Sequence, residues 1–117
     1  MAYVDGFVIA VDKDRIDEYE KIAREAAAVW KEYGALSVIE CVADDVPYGE
    51  RTSFPRSVQA TDEEAVVFSW ITYESRESRD EVNEKVMADP RMQGDMSEMP
   101  FDGARMIFGG FRPIVEQ

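Results

Sequence analysis

The sequence predicts an α+β domain, a four-stranded antiparallel sheet and two principal helices in the ferredoxin-like order βαββαβ. Three observations carry this. Val66-Val67-Phe68-Ser69-Trp70-Ile71-Thr72-Tyr73 is apolar on both alternating faces and rich in β-branched and aromatic residues, as a doubly covered strand requires. It runs straight into a helical pattern with Ser75 at the N-cap, Glu77 in the first turn, Val82 and Val86 as the buried stripe and Pro90 as the stop. An earlier strand–helix–strand pattern, from Tyr3 to Ala43, repeats the arrangement. Two such units interleave into one sheet with both helices on one face.

Tyr3 to Val11 reads as the first strand, with Tyr3, Asp5, Phe7, Ile9 and Val11 on one side and Val4, Gly6, Val8 and Ala10 on the other. Gly6 suits a strand that a packed helix approaches closely. Asp12 or Asp14 is expected to cap the first helix, which runs to Tyr33 and ends with Gly34 at C′. Its apolar positions are Ile16, Tyr19, Ile22, Ala23, Ala26, Val29, Trp30 and Tyr33, spaced by three and four. Glu20 and Arg24 form an i,i+4 pair on the wet side.

Ala35 to Ala43 is the second strand. A polar stretch follows from Asp44 to Glu64, long for a loop without structure of its own. Within it, Thr52 to Val58 is expected to form an edge strand or an arm, since Pro55 bars it from a sheet interior. After the central strand and helix, Asp89-Pro90 begins a short helical turn toward Met96. Met92, Met96 and Met99 supply a flexible apolar surface over a core edge. Asp102-Gly103 makes a turn, Ala104 to Phe111 is the last strand, and Pro113 ends it. Residues 1–117 therefore read as a single domain. Both sheet faces are apolar and the helices cover one. With nothing else in the chain to cover the other, a second copy packed face to face is expected, as a homodimer.

Of 117 residues 45% are apolar, ordinary for a globular domain, and the net charge is −12. Such an acidic protein is a poor partner for nucleic acid, which is bound through Lys and Arg on phosphates, or for an anionic membrane surface. No apolar run reaches the roughly 20 residues of a membrane span. The start, Met1-Ala2-Tyr3-Val4-Asp5, has no basic segment and no cleavable apolar one, so no secretory leader is expected. One cysteine builds no disulfide framework within the chain, and the expected compartment is the cytoplasm. The chain has no histidine, which removes Ser-His-Asp and Cys-His pairs and histidine sites for zinc or haem. A general base must then be Asp, Glu, Tyr, Lys, the cysteine, or the substrate itself.

Several stretches together resemble one bacterial family. They are Trp30-Lys31-Glu32-Tyr33-Gly34-Ala35-Leu36, Glu40-Cys41-Val42-Ala43-Asp44-Asp45, Thr52-Ser53-Phe54-Pro55-Arg56, Val67-Phe68-Ser69-Trp70, Lys85-Val86-Met87-Ala88-Asp89-Pro90 and Met99-Pro100-Phe101-Asp102-Gly103. They are similar to the YbaA-like family, a domain of unknown function, nearly from end to end. The resemblance implies a dimeric α/β barrel, a superfamily that also holds small cofactor-free monooxygenases, haem-degrading enzymes and stress-linked proteins. It brings no activity and no catalytic set.

Four polar or reactive groups fall within predicted strands: Asp5, Glu40, Cys41 and Arg105. In a cleft between helices and sheet, Asp5 or Glu40 desolvated by Trp or Tyr has a raised pKa and can act as base. Arg105 can hold a developing enolate or a carboxylate bidentately. Trp30, Cys41, Trp70 and Tyr73 are the candidate ligand-binding side chains. Asp44, Asp45 and Glu50 lack the spacing of a calcium loop and read as solvated, so no metal site is expected, nor any cofactor. Two functional readings follow. One is a cofactor-independent enzyme acting on a small aromatic or carbonyl compound. The other is a non-catalytic small-molecule-binding or dimeric scaffold protein. A substrate-sized cleft holding a buried carboxylate favours the first; a cleft filled by Met and Trp favours the second.

Overall fold

In the computed structural model, which describes residues 2–117, the longest apolar alternations lie side by side at the centre of the sheet. β1 (Tyr3–Asp12) and β3 (Glu64–Tyr73) pair antiparallel along their whole length, from Tyr3 opposite Tyr73 to Asp12 opposite Glu64. β4 (Ile107–Phe111) flanks β1 and β2 (Ser37–Val42) flanks β3, giving the antiparallel order β2-β3-β1-β4. Among the described residues, α2 (Phe54–Ser57) is a single turn, while α1 (Ile16–Tyr33) and α3 (Arg76–Ala88) are long and lie on one face of the sheet. There Val29 of α1 and Val82 and Val86 of α3 close on Ile71 and Tyr73, while Tyr19 and Ala23 of α1 close on Ile9, Val11 and Val67. Met92 packs against the first of these clusters. The Met96 side chain lies outside the described residues.

The local signals act as their chemistry requires. Ser75 accepts a hydrogen bond from the Ser78 N–H, and Asp89 accepts one from the Arg91 N–H with Pro90 next to it. Gly34 ends α1 at φ 122°, a conformation that favours glycine, and its N–H reaches the last carbonyls of the helix. Neither Asp12 nor Asp14 caps α1. β1 holds Asp12 in register with Glu64, and a 3₁₀ turn, Lys13–Arg15, intervenes, so Arg15 takes the N-cap position with no side-chain cap. The last strand is also shorter than expected. Asp102 accepts from the Ala104 N–H and closes a 3₁₀ turn, Gly103–Arg105, so that Arg105 is a turn residue and not a strand residue.

The second sheet face corrects a larger expectation. Thr52 to Val58 forms no edge strand. Ser53 accepts from the Arg56 N–H and Pro55 fits the first turn, which makes the segment the short helix α2. Val58, just beyond it and 1% exposed, packs on Ala10 and Val66, and the Phe54 ring meets Phe68 edge-on at 5.7 Å. The Arg56 guanidinium pins the segment, donating to the carbonyls of Tyr48 and Gly49 and lying over the Tyr48 ring. The chain thus covers one end of this face itself. Ile39, Phe68, Ile107 and Phe111 remain exposed around a half-buried Trp70. Among the described residues no helix is long and apolar enough to cross a membrane.

Candidate functional site

Two polar arrangements lie beneath the helices. The first is a cleft of about 420 Å³ between α1 and the edge strand β2, walled by Tyr19, Ala23, Ala27, Val38, Val42 and Val67. It exists because α1 presents small alanines to a strand that has no further neighbour outside it. Glu40 faces into the cleft from β2, since alternation puts it on the same side as Val38 and Val42. The Tyr19 hydroxyl donates to Glu40 Oε1 at 2.7 Å. Burial of the carboxyl raises the Glu40 pKa, and hydrogen bonds from Tyr19 and from Ser69, its cross-strand neighbour, oppose the shift. Burial, and then the adjacent carboxylate, pushes the Tyr19 hydroxyl up, so that it keeps its proton. The outer side of Glu40 is open to solvent, as is the nearby Glu20–Arg24 ion pair at 2.9 Å.

The second arrangement is a buried chain of hydrogen bonds under α3. Asp5, 7% exposed, takes a hydrogen bond from Asn83 Nδ2 at 3.4 Å and faces Arg79 Nε at 3.5 Å. Asn83 Oδ1 accepts from the Trp30 indole N–H at 3.1 Å and from the Tyr73 hydroxyl at 3.3 Å. Arg79 also donates to the Tyr3 hydroxyl at 3.1 Å, and its Nε has no hydrogen-bond partner among the described residues. Gly110 makes room for this guanidinium, because a Cβ there would collide with Arg79 and with the Tyr3 hydroxyl. Burial, and then Asp5, raises the pKa of Tyr73. The packed walls make this a brace between sheet and helix.

The expected catalytic set does not assemble. Asp5 lies in the brace and Glu40 in the cleft. Arg105 sits in the turn before β4, bidentate on Glu64 at 2.6 and 2.9 Å and bonded to the Gln59 carbonyl. That pairing, helped by the Thr61 N–H, holds the Glu64 pKa down to about 2, and Arg105 has no free fork for a substrate. Among the ligand candidates, Trp30 and Tyr73 belong to the brace. Cys41 is exposed at the margin of the cleft, and Trp70 lies on the second face against Phe68. Among the described residues no three His, Cys, Asp or Glu side chains gather as metal ligands.

Sequence reasoning missed Tyr19, Arg79 and Asn83 as polar partners. Tyr19 fits the apolar stripe of α1 and shows no sign of its hydroxyl contact. Arg79 and Asn83 did carry a signal. They interleave with Val82 and Val86 at helical spacing, which places a cation and an amide in a buried stripe.

The model of a family described as "Protein of unknown function (DUF1428)" matches residues 2–103. Proteins called "Uncharacterized protein YbaA" from Escherichia coli (strain K12) and from Shigella flexneri are each 53% identical over 117 residues, covering all of both chains. Among solved structures, an uncharacterized NIPSNAP domain protein from Burkholderia xenovorans is similar over 95% of this chain and 93% of its own, with a TM-score of 0.55 and 15% identity. Rv0793 from Mycobacterium tuberculosis is similar over 99% and 98%, with a TM-score of 0.54 and 13% identity. At these identities the two structures share the fold alone.

Proposed function

Because the chain belongs to DUF1428, a family of unknown function, no activity comes with membership, and we propose one from the site: Glu40 in the α1–β2 cleft acts as a cofactor-independent general base on a small aromatic or carbonyl compound in the cytoplasm. One observation carries the reading. A carboxylate with a raised pKa, open to solvent on its outer side and held by a tyrosine hydroxyl, lines a cleft of about 420 Å³, a size suited to a small molecule. Its raised pKa makes Glu40 a stronger base than a solvated carboxylate, while the Tyr19 hydrogen bond fixes its direction. Alanine and valine line the cleft, which leaves room that Met and Trp would fill, and this favours catalysis over mere storage.

The test begins with whatever small molecule co-purifies, identified by native mass spectrometry and returned to the protein. Turnover should rise with pH as Glu40 loses its proton, with a midpoint above the ordinary 4.5. Glu40→Gln should lower the rate by about 10²-fold or more while changing affinity little. A ligand that binds and is always recovered unchanged would leave a storage or sensing protein instead.

The homodimer belongs to the same proposal, as two ferredoxin-like sheets packed face to face in a dimeric α/β barrel. Its support is the apolar surface that α2 leaves open, where Phe68 is 41%, Ile107 46% and Phe111 62% exposed. Burying it against its twin across a two-fold axis should remove on the order of 1,600 Å² in total. Charge repulsion opposes this, screened over about 10 Å at ordinary salt. In sedimentation at micromolar concentration the native chain should run as a dimer and Phe111→Glu as a folded monomer. A native chain that stays monomeric there would end the barrel reading.

A further inference from the structure

We infer that the α1–β2 cleft selects an uncharged molecule, an apolar body carrying a hydrogen-bond donor, and turns away carboxylates and phosphates. This rests on the cleft being a small-molecule site, as proposed above.

Charge and hydrogen-bonding capacity set the selection. The cleft has apolar walls, and its ionic groups are Glu40, Glu20 and Arg24. Arg24 is the cation among them, and its guanidinium is spent on Glu20 at 2.9 Å, out in solvent. Among the described residues, that leaves the charge of Glu40 without a counter-ion inside the cleft. The other polar groups that meet it are neutral hydroxyls, Tyr19 from α1 and Ser69 from β3. The Tyr19 proton already points at Glu40, so it is not free to receive an anion. A carboxylate accepts about four hydrogen bonds, and Tyr19 and Ser69 fill only part of that capacity. Its remaining lone pairs can accept from a ligand that brings a donor in place of solvent. A second negative charge would meet Glu40 in a partly desolvated space, where Coulomb repulsion is stronger than in water.

Proton transfer sharpens the selection. With a neutral ligand, an O–H or C–H bond of the ligand breaks, an O–H bond forms on Glu40, and the electron pair stays on the ligand. One negative charge moves and none is added. An anionic ligand would start the step with two negative charges in the cleft and end it with both on the ligand. The chain's net charge of −12 adds to the same bias at longer range.

Ligand-observed NMR titration of the full chain at neutral pH tests this with phenol, benzoate and phenyl phosphate. Phenol should bind at least about ten times more tightly than either anion, a gap of about 1.4 kcal/mol. Glu40→Gln should abolish most of that preference by letting benzoate in. Arg24→Gln, at an exposed position that puts no folding at risk, should leave benzoate as weak as before. Benzoate binding as well as phenol, and weakened by Arg24→Gln, would make Arg24 an anion anchor; it would overturn the charge selection and leave the cleft as a ligand site. Silence from all three probes would overturn both.

Discussion

Tyr73→Ala should destabilise the chain by about 3–5 kcal/mol in urea unfolding, the range for removing a large aromatic side chain from a core. Tyr73 is fully buried, at the point where Val29 of α1 meets Val82 and Val86 of α3. Its ring joins the two helices to the sheet, so a cavity there loosens three elements together. A domain of this size has about 5–15 kcal/mol in hand, and the variant should melt roughly 10 °C or more below the native chain. Tyr73→Phe separates ring from hydroxyl. It keeps the packing and loses one hydrogen bond to Asn83, so it should cost about 1 kcal/mol. If the alanine variant lost no more than the phenylalanine variant, the packing account of this cluster would be wrong.

Arg105→Ala should cost about 2 kcal/mol near neutral pH, and most of that cost should disappear in acid, because each tenfold change in proton affinity is worth about 1.4 kcal/mol. The bidentate bond from Arg105, and after it the Thr61 N–H, lower the Glu64 pKa from 4.5 to about 2, and Glu64 is 7% exposed at its side chain. A carboxyl whose pKa is lower in the folded state binds its proton more readily when unfolded. It therefore stabilises the fold fully above 4.5 and loses that contribution as pH falls toward 2. Native and variant stabilities should differ most at about pH 6–7 and converge toward about pH 2. A gap independent of pH would mean that Arg105 acts through packing and through its bond to the Gln59 carbonyl.

The β3–α3 unit was legible in the sequence because each of its signals is local. Ser75, Glu77 and Pro90 act within a turn of where they stand, and alternation along Val66 to Tyr73 needs only the pleat. The 52–58 stretch was not legible in the same way. Pro55 serves equally as a strand excluder and as a first-turn helix residue, and the choice falls to Val58 meeting Ala10 and Val66, which is tertiary. Arg105 departs from the expected strand for a related reason. Asp102 offers a local turn, and Glu64, distant in sequence, supplies the bidentate partner that keeps the chain out of the ladder. At the site, Glu40 stands out as a charge within a strand, whereas its partner Tyr19 hides among apolar residues of like spacing. Asp5 stands out for the same reason as Glu40. The residues that make it part of a brace, Arg79 and Asn83, share the stripe of Val82 and Val86, but their bonds to Asp5, Trp30 and Tyr73 are tertiary.

The pairing of β1 with β3 sets a clock as well as a shape. The first strand finds its partners in residues Glu64 to Tyr73, and no nearer described strand hydrogen-bonds to it before then. A chain growing from its N-terminus must therefore carry Phe7, Ile9 and Val11 unpaired until their partners Ser69, Val67 and Ala65 have been made. Loop closure over that span precedes any gain from the central ladder, which places refolding among the slower small domains, in milliseconds to seconds. During that wait the first strand is an open apolar edge, and a nascent chain halted before β3 is the form most exposed to aggregation and most in need of a chaperone.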